Sequence, residues 1–160
     1  MPRSRELTVT TSTPAVAAAP VAACPLLLDT HVWLWLMEGD VALQRSAALV
    51  PIEQAALDGR LRVSAISVWE VGMLEAKGRI VLPLDVMHWV ECALALPGVC
   101  LLPLTPAIAV HSARLPGDFD GDPADRVLVA SARQQNALLV TRDAAILAYG
   151  AAGLVKTLAA

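Results

Sequence analysis

The chain has 160 residues, of which 56% are hydrophobic and 17% charged, and its formal net charge is −3 at pH 7. This length favours one domain with a sizeable core, and so apolar a composition excludes disorder over most of the chain. The negative charge excludes nucleic-acid binding through a broad basic surface, so any such contact must be local or made through bound metal. No apolar run reaches about 18 residues without a charge or a proline, so we expect no membrane contact.

The N-terminal segment and the cysteines bear on organisation and location. Residues 1–24 are rich in Ala, Thr and Pro without clear periodicity, which predicts a flexible tail ahead of one domain over residues 25–160. Pro14 and Pro20 interrupt its weakly apolar stretch, which disfavours a signal peptide. The three cysteines are odd in number and lack CxxC spacing, which favours a reducing compartment and a cytoplasmic protein.

From Pro25 onward, short apolar runs alternate with helical patterns. The first half of the chain is predicted to contain a strand at 26–29, helices at 32–37 and 41–58 (the latter broken near Pro51), a strand at 61–65 and helices at 67–76 and 84–96. The second half is predicted to contain a strand at 99–102, a helix at 106–114, a loop at 115–122, a helix at 123–135, a strand at 137–141, a helix at 143–149 and a fifth strand at 154–157. Wholly apolar strands that alternate with helices predict an α/β fold, with a parallel sheet of four to five strands covered on both faces.

Four acidic residues each lie where an apolar run gives way to a helix start: Asp29, Glu70, Asp125 and Asp143. In a parallel sheet those starts lie along one edge, so the four carboxylates would meet there. Like charges gathered in one place repel, and a divalent cation is the usual remedy. The pattern therefore predicts a metal site, of a kind that usually acts on phosphate esters.

The first two acids also have a capping interpretation. Asp29 would cap the helix that begins near His31. Ser67 and Glu70 fit the capping box S-x-x-E, in which the Glu bonds back to the cap. Capping and metal binding are compatible, because backbone amides at a helix start can hold a carboxylate while it binds an ion.

The last two acids can be interpreted in the same way. Asp122 would cap a helix that has Pro123 in its first position, which leaves Asp125 to favour the positive end of the helix dipole. Thr141 would cap the last helix, with Asp143 in its first turn. Capping alone does not explain why a carboxylate follows so many of the strands, because Ser and Thr cap helices as well as Asp does.

Other side chains are weaker candidates for function. His31 and His111 have no partner at ligand spacing. Arg142 would neutralise a phosphate or remain a solvated surface residue. The four tryptophans lie in apolar helical stretches and are expected to be core or dimer contacts: Trp33, Trp35, Trp69 and Trp89.

Four segments together resemble PIN-domain proteins: LLLDTHVWLW, VSAISVWEVGMLEAKGRI, DPADRVLVASAR and LLVTRD. They occur in the same order and at similar spacing over residues 25–157, and the nearest likeness is to VapC-type toxins of bacterial toxin–antitoxin pairs. The resemblance implies a three-layer α/β/α PIN-like fold and a homodimer. It also implies an Mg²⁺- or Mn²⁺-dependent ribonuclease, inhibited by a small antitoxin protein whose tail occupies the acidic groove.

Carried over position by position, the resemblance assigns the acids. Asp29, Glu70 and Asp125 match the three core acids of the family, and Asp143 matches its more variable fourth. Asp122 matches an acid common in the DPxDR subgroup, and either binds metal or only caps the helix. The first 24 residues have no counterpart in such toxins, and the segment GLVKTLAA is weakly patterned.

The resulting hypothesis is a metal-dependent endoribonuclease that hydrolyses RNA phosphodiester bonds. Asp29 and Asp125 would be the main ligands, with Glu70 and Asp143 completing the site directly or through water. A phosphatase of the haloacid-dehalogenase type is disfavoured, because it needs a second Asp where this chain has His31. The remaining alternative is a catalytically silent PIN-like binding module whose acids mainly cap helices.

Overall fold

The computed structural model describes residues 24–160, so the tail predicted over residues 1–24 lies, except for Cys24, outside the described residues. The elements are β1 (Leu26–Leu28), α1 (Thr30–Glu38), α2 (Val41–Gln44), α3 (Leu49–Leu57), β2 (Leu61–Ser64), α4 (Ala65–Ala76), α5 (Val86–Leu94), β3 (Val99–Leu102), α6 (Pro106–Ser112), α7 (Pro123–Gln134), β4 (Leu138–Thr141), α8 (Ala144–Ala151) and β5 (Lys156–Ala159). None of the helices in this part of the chain is long and apolar enough to cross a membrane.

The five strands form one parallel sheet in the order β3-β2-β1-β4-β5. Leu28 at the end of β1 aligns with Val63 in β2 and with Val140 in β4, so neighbouring strands end at the same edge. The chain builds the sheet outward from β1 to β3 and then crosses to the other side of β1 to add β4 and β5. This change of direction falls between β1 and β4, and folds of this class bind ligands beyond the carboxyl ends of the strands at such a point.

Alternate residues of β1 face two different apolar cores. Leu26 and Leu28 pack with side chains of the first five helices. Leu27 packs in a second cluster with side chains of α7 and α8, and α6 packs on α7 through Ile108. A strand buried on both faces accounts for the wholly apolar sequence of β1. The predicted three-layer α/β/α fold with a parallel sheet is confirmed.

Most element boundaries lie within two residues of the predictions, and two of the differences have a clear physical reason. The predicted helix over residues 41–58 is two helices, and its break falls at residues 45–48, ahead of Pro51. Pro51 is the third residue of α3, where its missing N–H removes no intrahelical hydrogen bond. The fifth strand begins two residues later than predicted, at Lys156, because its pairing with Leu138 in β4 sets the register.

Candidate metal centre

Asp29 follows β1 directly and turns its carboxylate toward β4. Its side chain is only 6% exposed, and its Oδ2 accepts a hydrogen bond of 2.6 Å from the Thr141 hydroxyl. Asp29 occupies the cap position of α1, yet its carboxylate accepts no capping hydrogen bond. The capping interpretation of Asp29 is therefore wrong, because the sheet directs its side chain across to the neighbouring strand.

Glu70 lies in the second turn of α4, not at its start. The cap of α4 is Ser64, whose hydroxyl accepts from the Ile66 amide, so the capping box predicted for Ser67 and Glu70 is wrong. The Glu70 carboxylate instead accepts a hydrogen bond from the Thr30 hydroxyl. Ser67 Oγ lies 2.9 Å from Thr30 Oγ1. Since Thr30 gives its one proton to the carboxylate, Ser67 must be the donor in this second contact.

Asp122 and Asp125 form a reciprocal pair at the start of α7. The Asp125 amide donates to Asp122 Oδ1 over 2.9 Å, and the Asp122 amide donates to Asp125 Oδ2 over 3.3 Å. The predicted cap at Asp122, followed by Pro123, is therefore confirmed. Asp125 follows a loop and not a strand, so it reaches the carboxyl edge of the sheet through the placement of α7.

Asp143 caps α8 with its own side chain. Its Oδ1 accepts from the Ile146 amide over 2.9 Å, whereas Thr141 had been predicted as the cap. That prediction is wrong because Thr141 ends β4 and its hydroxyl proton goes to Asp29. The Thr141 oxygen also accepts from the Asp143 amide over 3.0 Å, so one hydroxyl joins two of the acids.

The five acids influence one another. Burial, followed by the charges of Asp122, Asp143 and Asp29, raises the pKa of Asp125 to about 7. Burial also raises the pKa of Glu70, with smaller effects from Asp122 and Asp29. The pKa of Asp29 is raised by burial and slightly by Asp143, against the hydrogen bond from Thr141. The structure thus brings all five predicted acids into one electrostatic cluster.

The donor chemistry of this acidic cluster fits a hard divalent cation. All five side chains offer carboxylate oxygens, which Mg²⁺ and Mn²⁺ prefer. Neither ion pair found within residues 24–160 involves them, so no Lys or Arg is paired with these carboxylates there. Across the same residues, no three His, Cys, Asp or Glu side chains lie close enough together to be direct ligands of one metal ion.

Three hydroxyl residues that support the acids escaped sequence reasoning in this role. Thr30 and Thr141 donate directly to Glu70 and Asp29, and Ser67 acts through Thr30. All three are buried. Proximity in sequence could have identified them, because each of the three lies within three residues of an acid of the cluster.

Comparison with known proteins agrees with this fold. The PIN domain family matches residues 26–151, and the chain belongs to that family. Ribonuclease VapC22 of Mycobacterium tuberculosis (strain ATCC 25618 / H37Rv) is 37% identical over 118 residues, which cover 74% of this chain and 86% of that protein.

Two solved structures share the fold. The crystal structure of VapBC2 from Rickettsia felis bound to a DNA fragment from their promoter contains a chain with a TM-score of 0.60 and 13% identity, covering 84% of this chain and 97% of that one. DNA-bound VapBC from Salmonella typhimurium contains one with a TM-score of 0.59 and 13% identity, covering 85% and 98%. At such low identity the likeness shows the fold alone.

Proposed function

We propose that the chain is a metal-dependent endoribonuclease that hydrolyses RNA phosphodiester bonds as the toxin of a toxin–antitoxin pair. The observation that carries this proposal is the meeting of five mutually repelling carboxylates at the switch point of a parallel sheet, with the pKa of Asp125 raised to about 7. The 37% identity to a protein named as a ribonuclease supports RNA as the substrate.

The proposed cofactor is Mg²⁺, with Mn²⁺ as an alternative. Asp29 and Asp125 would be its main ligands, Glu70 and Asp143 would complete the site directly or through water, and Asp122 is a further candidate. Mg²⁺ usually keeps several waters and binds directly to only one or two protein carboxylates. This suits five acids that lie near one another, although no three of them are close enough together to be direct ligands of one ion. When bound, the ion would lower the pKa of a water molecule and stabilise charge on the phosphate oxygens.

Other side chains of the protein would orient the carboxylates that take part in the reaction. The hydrogen bond from Thr141 would hold the Asp29 carboxylate in place, and the one from Thr30 would do the same for Glu70. Asp125 binds a proton near neutral pH in the metal-free protein and would release it on loading, as metal sites generally do. With water as the nucleophile and the 3′ oxygen as the leaving group, the products would carry 5′-phosphate and 3′-hydroxyl ends.

The catalytically silent binding module remains the alternative, and one observation favours it. Asp122, Asp125 and Asp143 all make hydrogen bonds at helix starts. Asp29 and Glu70 do not, so capping leaves the buried Asp29 and the half-buried Glu70 unexplained.

Calorimetry with Mn²⁺ separates the two functions. The nuclease proposal expects stoichiometric binding that Asp29→Asn weakens, since Asp29 lies in the cluster and caps nothing. The matched control is Asp118→Asn in the exposed loop before α7, which should bind as the unmodified chain does. Absence of binding by the unmodified chain supports the silent module.

We further propose that a small antitoxin binds across the acidic cluster. An apolar cavity of about 390 Å³ lies beside it, lined by Trp69 and Leu104 and by the first turn of α7. Trp69 is 55% exposed and precedes Glu70, so a bound tail could fill the cavity and cover the acids together. Trp69→Ala should weaken binding of the cognate antitoxin, and unchanged binding would contradict this placement.

The homodimer and the cytoplasmic location are also proposals. The family resemblance implies the dimer, and sedimentation equilibrium of the purified chain tests it. All three cysteines are free thiols, in agreement with a reducing compartment. Fractionation of cells that produce the untagged chain tests the location.

A further inference from the structure

Arg142 stands between two residues of the acidic cluster's framework, Thr141 and Asp143, and its side chain lies on α1. Its guanidinium carbon is 4.7 Å from the centre of the Trp35 ring. Its Nε donates a hydrogen bond of 2.9 Å to the main-chain oxygen of Ala160. Two contacts from different parts of the chain therefore hold the cationic side chain of the residue between Thr141 and Asp143.

The two terminal nitrogens of the Arg142 guanidinium remain available to bind a ligand. Arg142 is exposed, and within residues 24–160 it forms no ion pair. Only its Nε has a hydrogen-bond acceptor among those residues, although an Arg side chain carries five N–H donors in a planar fork. Carboxylate and phosphate groups match that fork, so the geometry suits an incoming anion.

The aromatic support extends along α1 toward the acids. The ring of His31 lies 6.3 Å from that of Trp35. His31 lies in the first turn of α1, two residues after Asp29, and its proximity lowers the pKa of both Asp29 and Glu70, so it lies beside the cluster. Arg142, Trp35 and His31 thus form one continuous rim, which we call the α1 rim, next to the acidic cluster.

We propose that Arg142, held on Trp35, binds a phosphate of the RNA backbone next to the bond that is cut. This inference rests on the proposed ribonuclease function and names the contact that would bring RNA to that site. A net charge of −3 and five gathered acids repel a polyanion, so binding requires positive charge at the site, from bound metal or from a local cationic side chain such as Arg142. Because stacking and the Ala160 contact restrict the guanidinium beforehand, little further ordering is needed when it binds phosphate.

A purely structural role for Arg142 makes a different prediction. If Arg142 only tied the last strand to α1, Arg142→Ala would lower the melting temperature but leave RNA binding at moderate temperature unchanged. A phosphate contact instead changes the salt dependence of binding, since each neutralised phosphate of a single strand contributes about 0.7 to the slope of log K against log salt.

The test measures binding of a fluorescent single-stranded RNA of mixed sequence over a series of KCl concentrations. The host chain carries Asp125→Asn, so that the probe is not cut, and Mg²⁺ is held constant. In this host Arg142→Ala should weaken binding by about ten-fold and reduce the salt slope by about 0.7. Arg142→Lys should keep the slope because it keeps the charge, and Trp35→Leu should weaken binding at an unchanged slope.

The matched control is Arg79→Ala, which removes the same charge just beyond the C-terminal end of α4. That helix begins at the carboxyl edge and runs 12 residues away from it, roughly 18 Å. Arg79→Ala should leave both affinity and slope as in the host. Melting temperatures of all variants show whether each remains folded at the temperature of the assay.

Cleavage by the chain without Asp125→Asn separates this inference from the function on which it rests. If the chain cuts RNA with Mg²⁺ while Arg142→Ala changes neither affinity nor slope, the phosphate contact is wrong and the ribonuclease stands. If it neither cuts nor binds RNA, both are wrong. A slope reduced equally by Arg142→Ala and Arg79→Ala also overturns the assignment, because the effect would then be one of net charge.

Discussion

The Thr141 hydroxyl donates a hydrogen bond of 2.6 Å to the Asp29 carboxylate, although 112 residues separate them in the chain. Thr141 ends β4 and Asp29 follows β1, and these two strands are neighbours in the sheet. The bond therefore spans the switch point of the fold. Burial raises the pKa of Asp29, and this hydrogen bond is the largest influence that opposes it, so Thr141 helps to keep a buried carboxylate ready to bind a cation.

Replacing Thr141 by Val should weaken metal binding while preserving the shape of β4. The change removes the donor to Asp29 and the acceptor of the Asp143 amide. Loss of an outer partner of this kind typically costs about 10- to 100-fold in metal affinity, so we expect a loss in that range in Mn²⁺ calorimetry. Thr157→Val in β5 is the control. Equal affinity of Thr141→Val and the unmodified chain would show that Thr141 does not support the site.

Thr30→Val should lower the rate of RNA cleavage by about ten-fold, because Glu70 loses the hydroxyl that orients its carboxylate. Ser67→Ala should have a smaller effect, since Ser67 contacts Glu70 only through Thr30. The control is Ser131→Ala, which removes another buried hydroxyl, one that donates to the Val127 carbonyl inside α7. The assignment fails if Ser67→Ala or Ser131→Ala slows cleavage as much as Thr30→Val does.

The pH dependence of stability should report on Asp125. Its pKa rises from 3.8 to about 7 on folding, so between those values the folded chain keeps a proton that the unfolded chain has released. The stability of the metal-free protein therefore falls as the pH rises through that window. In EDTA we expect the melting temperature to decrease from about pH 5 to about pH 8.

Asp125→Asn should make that decrease shallower, because the amide does not titrate and can still accept a hydrogen bond from the Asp122 amide. Some pH dependence should remain, since the pKa values of Asp29 and Glu70 are raised as well. Asp118→Asn in the exposed loop should retain the full decrease. If the melting temperature of Asp125→Asn fell with pH as steeply as that of the unmodified chain, the Asp125 carboxyl would not be the main source of the pH dependence.

The order of the elements could be predicted from the sequence because the signals are local. A wholly apolar run such as Leu26–Leu28 indicates a strand buried on both faces, and Asp122 followed by Pro123 indicates a helix start. Such signals give the parallel sheet and bring the acids to one edge. The match to the PIN domain family over residues 26–151 agrees with this fold.

Contacts between distant elements could not be predicted in this way. Ser64 and Ser67 both resemble helix caps, and Ser64 takes the role because β2 ends at Ser64 and α4 begins at the next residue. The partners Thr30 and Glu70 are 40 residues apart, and their contact depends on the packing of α1 against α4. The position of Arg142 over Trp35 likewise depends on how β4 meets α1.

The central claim is that the acidic cluster cuts RNA with the help of a divalent cation. The measurement that tests it most directly is cleavage of defined RNAs by the unmodified chain and by Asp125→Asn, with Mg²⁺ and with EDTA. We expect cleavage only with Mg²⁺, ends that carry 5′-phosphate and 3′-hydroxyl, and a loss of roughly 100-fold or more in Asp125→Asn. Cleavage at an undiminished rate in EDTA, or by Asp125→Asn with Mg²⁺, would contradict the claim.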